Sequence, residues 1–222
     1  MIPLRDIIPS RTTPYITITI IVLNALAWFF ELALPRDFLP VFLQINGVVP
    51  SDFRVPSLVT SMFLHGSWSH VIGNMWYLWI FGDNVEDRVG HGRFIAFYLL
   101  CGAGAALGQV AIDPTSTLPM IGASGAIAGV MGGYFVLYPH SRVLTLVTLI
   151  IFWEIVELPA IFLLGFWFLM QLFSAGAIAV TASTGSGGVA FMAHVAGFAL
   201  GAMAVFVFRR RNQPDARWEE EY

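Results

Sequence analysis

The sequence has no lysine; all eleven of its basic residues are arginine. That removes a Ser/Lys dyad, a Schiff-base lysine and a phosphate-loop lysine from the chemistries open to it. It has one cysteine, Cys101, so no internal disulfide can form. Cys101 lies in an apolar run and reads as a small packing residue. No Cys/His cluster has zinc spacing, and neither a metal nor a cofactor is expected. The net charge of −3 offers no basic face to nucleic acid. Charge itself is scarce. Charged residues make up 11% of the chain and hydrophobic ones 57%, with a mean hydropathy of +0.76. A soluble domain is roughly 45–50% apolar and about 25% charged. A soluble fold of 222 residues could not cover its surface with so few charges. The composition predicts an all-α polytopic membrane protein with small loops.

What is present is a series of apolar runs, each to be weighed against the roughly 20 residues that cross a bilayer. The first is Ile16–Leu34. Ala25-Leu26-Ala27 resembles a leader cleavage site, but the run continues through Trp28, Phe29 and Phe30, so it reads as an uncleaved span. Pro35–Ser57 is a proline-broken loop whose apolar side chains suit the membrane interface. Further spans are expected at Trp68–Val85, Phe94–Ala111 and Ser124–Tyr138. Val143–Val180 is too long for one span and is interrupted by Glu154, Glu157 and Pro159. It divides into a connecting or interfacial segment, Val143–Glu157, and a fifth span, Leu158–Ile178. The Gly/Ser/Thr-rich stretch Thr181–Gly188 reads as a flexible loop, and a sixth span covers Val189–Phe208.

This gives a short N-terminal segment (residues 1–15), a six-helix domain (16–208) and a short tail (209–222). With six spans and both termini inside, Arg5, Arg11, Arg88, Arg93, Arg142, Arg209, Arg210, Arg211 and Arg217 are cytoplasmic, and Arg36 and Arg54 are outside. That is the arginine bias of an inside face. A seventh span would place Arg209–Arg211 outside.

Uncharged polar groups inside an apolar bundle are costly and mark a task or a partner. His70 and Asn74 are four residues apart, on one face of the second span. Ser124 follows Gly122-Ala123 at the start of the fourth span. His194 lies in the first part of the sixth, in Ala193-His194-Val195-Ala196-Gly197. In the six-span arrangement these three spans run the same way, so the three polar groups fall in one layer below the outer surface. Gly125, Gly129 and Gly133 form a small-residue stripe on the fourth span, and His194, Gly197 and Gly201 share a face of the sixth. Such stripes let membrane helices approach closely.

A serine hydroxyl near a histidine permits nucleophilic acyl transfer, the imidazole taking the hydroxyl proton. The Ser124 N–H, the Asn74 amide and the His70 ring can face an oxyanion. No acid is placed to orient His194, since Asp113, Glu154 and Glu157 lie in or near loops. A Ser/His dyad is expected.

At these residues the chain resembles the rhomboid family of intramembrane serine proteases, over about Tyr15 to Arg211. The motifs are His65…His70…Asn74, Gly122-Ala123-Ser124-Gly125, and Ala193-His194-Val195-Ala196-Gly197 with Gly201. The resemblance implies a six-transmembrane-helix rhomboid-like bundle. It implies Ser124 as nucleophile, His194 as general base, and His70, Asn74 and Gly122 at the oxyanion and substrate-binding site. It implies single-span membrane proteins as substrates, and a structural role for His65 and for the Glu-x-Arg feature Glu86-Asp87-Arg88. The chain departs at two points from patterns that some members carry. Ala128 stands four residues after the nucleophile, where some members carry an aromatic that packs on the histidine. The Trp-Arg signature that some members carry in the first external loop is not at its expected place; Phe53-Arg54 is nearby but shifted, and Pro56-Ser57 is closer to the expected spacing.

There is no His-Glu-x-x-His for metalloprotease chemistry. A non-proteolytic rhomboid-like escort is the rival reading, but such relatives usually lack the serine or the histidine. A transporter would need polar residues across the whole bilayer. The loop Pro35–Ser57, the fifth span and Thr181–Gly188 are candidate gates for water. The compact layout fits a bacterial plasma membrane.

Overall fold

The structure is a computed structural model and describes residues 1–149, 152–181 and 191–210. The expected loop at 181–188 and the tail beyond Arg210 lie outside the described residues, Thr181 excepted.

Helix α1 (Tyr15–Ala33) has no side-chain cap of its own at Pro14. Its first N–H groups are instead received by a carboxylate seventy residues away in sequence. Glu86 accepts from the backbone of Ile16 at 3.0 Å and of Thr17 at 2.8 Å. A negative group at a helix N-terminus satisfies orphan donors and complements the helix dipole. Glu86 also meets His91 Nδ1 at 2.5 Å. Glu86 thus ties α1 to the end of α4 (Trp68–Val89), where a Glu-x-Arg structural feature was expected.

Between these helices the chain does not run as an open loop. It forms α2 (Leu39–Asn46) and the single turn α3 (Ser57–Thr60). Val48 bridges Met120, and Val48 and Val49 are buried. Arg54 pairs with Asp52 at 2.6 Å on the surface. Ser67 caps α4 by accepting from His70 N–H at 3.1 Å. Gly90 then turns the chain into α5 (His91–Ile112).

Helix α6 (Ser124–Leu137) is short, at 14 residues, or about 21 Å. It packs against α8 (Phe191–Phe208) nearly backbone to backbone. A methyl group at Gly197 or Gly201 would overlap the carbonyl of Gly125 or Gly129, and one at Gly132 would overlap the carbonyl of Phe198. The small-residue faces expected on these two spans do meet, which is what brings their side chains within reach of each other.

Two boundaries need correction. Residues Val143–Glu157 are not a simple connecting segment. They belong to an antiparallel pair, β2 (Arg142–Leu149) and β3 (Phe152–Pro159), with Thr145 opposite Val156. The N-terminal segment adds β1 (Ile2–Asp6), antiparallel to β2 with Asp6 opposite Val143. The order is β1-β2-β3. The stretch from Val143 is rich in β-branched residues, which suit a pleated ladder, while Glu154 and Glu157 in β3 gave the segment its reading as a connection. The helical bundle expected from composition therefore carries a three-stranded sheet. The next helix, α7 (Ala160–Thr181), starts after Pro159 rather than at Leu158.

Three of the described helices, α1, α5 and α8, are long and apolar enough to cross a membrane. Helix α4 carries Asp83, Glu86, Asp87 and Arg88 in its last two turns. The surface is inverted relative to a soluble protein. Leu26, Phe29, Trp79, Phe162, Phe173 and Met203 are exposed, while Thr17, Asn24, Glu31, Asn74, Asn84 and Glu86 are buried. Such broad apolar exposure suits a hydrocarbon solvent. This is an integral membrane protein with a helical polytopic fold.

Candidate active site

Ser124 is the first residue of α6. Its position is set by the turn before it. Gly122 has φ +121°, a conformation rare for residues with a side chain, and its N–H donates to Ser61 carbonyl at 2.8 Å. That bond anchors the chain entering α6 to the segment before α4. The first N–H groups of α6 have no acceptor within their own helix.

His194 stands in the first turn of α8. Its Nε2 lies 2.8 Å from Ser124 Oγ. The close α6–α8 packing makes this reach possible across seventy residues of sequence. The opposite ring nitrogen, Nδ1, lies 2.8 Å from Gln171 Oε1 on α7. A carbonyl oxygen can only accept, so Nδ1 carries the proton and donates. Nε2 is then unprotonated and accepts from the Ser124 hydroxyl. The Trp167 ring, one turn before Gln171, lies 5.9 Å from the His194 ring at 35°. Trp167 in turn contacts Phe198 at 6.1 Å. Support for the imidazole, which Ala128 does not supply, comes from α7.

His70 and Asn74 reach the same place from α4. A methyl built on Gly122 would lie 2.7 Å from His70 Cε1 and Nε2 and 3.6 Å from Asn74 Nδ2. Both side chains therefore converge on the turn two residues before Ser124. Asn74 Nδ2 donates to His65 Nε2 at 3.0 Å, and the His65 and His70 rings meet edge to face at 5.1 Å. The His65 backbone N–H donates to the buried Glu31 carboxylate at 3.1 Å. Burial pushes the His65 ring down to about 4, with the nearby His70 adding to the effect. His65 is thus neutral near pH 7, free to accept from Asn74.

The five residues named from the sequence, Ser124, His194, His70, Asn74 and Gly122, lie together at the ends of α4, α6 and α8. The acids weighed for orienting His194 do not join them. Asp113 ends α5, and Glu157 in β3 pairs with Arg142 at 3.1 Å. Gln171 was missed. Its signal was faint: it is the one polar side chain in the run Ile161–Phe173, four residues after a tryptophan.

Comparison with known proteins points to one family. The family described as Rhomboid domain matches residues 52–211. Rhomboid protein 1, mitochondrial, of Saccharomyces cerevisiae is 30% identical over 112 residues, 48% of this chain and 32% of that protein. RHOMBOID-like protein 6, mitochondrial, of Arabidopsis thaliana is 30% identical over 163 residues, 73% of this chain and 46% of that protein. Putative rhomboid protease YdcA of Bacillus subtilis is 30% identical over 129 residues, 56% of this chain and 62% of that protein. The aligned region spans from about a third to less than two thirds of these relatives' own lengths. With the family match covering most of its length, and with an apolar-surfaced helical bundle to carry it, the chain belongs to the rhomboid family of integral membrane proteins.

Proposed function

We propose that this protein is an intramembrane serine endopeptidase, cleaving peptide bonds in or beside transmembrane segments of membrane proteins by a Ser124/His194 dyad. The observation that carries this reading is the 2.8 Å contact between Ser124 Oγ and His194 Nε2, in the only tautomer that lets the ring accept a proton there. Ser124 Oγ attacks the scissile carbonyl carbon while Nε2 takes the hydroxyl proton. The carbonyl electron pair moves onto oxygen. Asn74 Nδ2, the His70 ring and the N–H groups at the start of α6 stabilise that oxyanion. As the C–N bond breaks, His194 returns its proton to the leaving amine. Water gives a proton to His194 as it attacks the acyl carbon, and as the bond to Ser124 Oγ breaks His194 returns that proton to the serine oxygen.

The substrate class is single-span membrane proteins, and six spans with both termini cytoplasmic fit the arginine distribution best. A bacterial plasma membrane is the proposed location. Family membership, and relatives named as rhomboid proteases, support the chemistry.

The test is cleavage of a single-span reporter by wild type, Ser124→Ala and His194→Ala in one detergent. Cleavage by wild type alone is expected. Equal turnover by all three removes the assignment and favours a non-proteolytic escort.

A further inference from the structure

We propose that Gln171 is a positioning residue for the reaction centre, holding His194 in the tautomer and ring orientation that let Nε2 take the Ser124 proton. This rests on the protease reading above. Three observations carry it. Gln171 Oε1 lies 2.8 Å from His194 Nδ1, a normal hydrogen-bond length. The amide is alone among apolar residues from Ile161 to Phe173, and a polar side chain in a membrane helix needs a partner or a task. Gln171 and Trp167 are one turn apart on α7, so one helix face supplies both the hydrogen bond and the ring contact at 5.9 Å.

The choice of an amide has a chemical consequence. A carboxylate at this place would orient the ring and also stabilise the imidazolium. An amide oxygen orients the ring with only a partial charge, and it spares the bilayer a buried anion. Among the described residues, four groups bear on the His194 ring. They are Ser124 from α6, Gln171 and Trp167 from α7, and the titratable His70 from α4, whose charge would act on the ring. None of these is a carboxylate. Gln171 is therefore the neutral counterpart of the acid that completes a triad elsewhere. Without it, the neutral ring can carry its proton on Nε2, and that form cannot accept from Ser124.

The experiment uses the full chain in detergent, with wild type, Ser124→Ala, Gln171→Met and Gln171→Glu assayed on one single-span reporter across pH. Gln171→Met keeps the length and removes the acceptor. Its kcat should fall about tenfold or more, the effect of one lost hydrogen bond, with KM unchanged. Gln171→Glu should recover activity and move the acid limb of the pH–rate profile upward, because a carboxylate raises the basicity of His194. A glutamine packed out of contact with the ring would not shift that limb on becoming glutamate, and its loss in Gln171→Met would not lower kcat. Wild-type kcat in folded Gln171→Met overturns the proposal. If Gln171→Met does not fold, Gln171→Glu decides alone, and an unmoved acid limb or loss of activity at every pH overturns it. If wild type itself cleaves no better than Ser124→Ala, the protease reading has failed, and that result is distinct from either.

Discussion

The Asn74 amide is held by His65, whose Nε2 accepts from Asn74 Nδ2 at 3.0 Å. The donor proposed for the oxyanion is thus fixed by a neighbour nine residues earlier, which is fixed in turn by the Glu31 carboxylate. The two residues should therefore fail differently. Asn74→Ala should lower kcat about 10²- to 10³-fold, the usual loss of an oxyanion donor. His65→Ala leaves that donor present but unsupported. It should cost less in kcat, and about 1–3 kcal/mol of stability from the buried groups it leaves unpaired. Reporter kinetics with thermal unfolding in detergent separates the two.

Gly122 is constrained twice, by its φ of +121° and by the His70 ring against its open side. Gly122→Ala should lose most activity through displacement of His70, together with about 1–3 kcal/mol of backbone strain. Combining it with His70→Ala removes the collision but keeps the strain. The unfolding temperature of the double variant should stay below that of His70→Ala alone.

The α6–α8 contact makes a third case. A side chain at Gly201 points at the Gly129 carbonyl, whereas nothing lies within 4 Å of one at Gly92. Gly201→Ala should destabilise by about 1–3 kcal/mol, as overpacking does, and separate Ser124 from His194. Gly92→Ala in α5 should stabilise by roughly 0.5–1 kcal/mol. Unfolding temperatures of the two variants, which should move in opposite directions, check this.

The docking of β1 should depend on pH. Asp6 is buried, and its Oδ2 accepts from Asn84 Nδ2 at 2.7 Å and from Tyr134 Oη at 2.8 Å. Burial raises its carboxyl to about 7, against the lowering effect of the Tyr134 bond, with Asp83 nearby raising it and Arg5 lowering it. The docked state binds the proton more tightly than the free one. Its stabilisation is therefore full below the ordinary value of 3.8 and is lost as pH rises through about 7. Hydrogen exchange of the Ile2–Asp6 amides, corrected for intrinsic rate, should show protection falling from pH 5 to pH 8 in wild type. Asp6→Asn should flatten that trend.

The expected second and fourth spans began at Trp68 and Ser124, where α4 and α6 start, because the apolar runs open there. The layer of Ser124, His194, His70 and Asn74 was legible because polar groups in apolar runs are conspicuous, and their positions along the spans already agreed in depth. The sheet was not legible. Val143–Leu149 is as apolar as a span, Glu154 and Glu157 make the next stretch read as a connection, and the pairing of Ile2 with Leu146 has no local trace. Gln171 was hidden for a related reason: a single amide on a helix has no motif, and its role appears only when α7 lies beside α8.

The pairing of Ile2 with Leu146 also sets an order of assembly. The hairpin of β2 and β3 is local and can form as it is made. Strand β1 must wait while 144 further residues are added (146 − 2), a delay of roughly 7–30 s at ordinary translation rates. During that time α1, α4, α5 and α6 are synthesised, and the first strand keeps an open edge. Closure of the sheet is thus a late event in biogenesis. Seating of Ile2–Asp6 reports that the ends of α4 and α6, which supply Asn84 and Tyr134, have already come together.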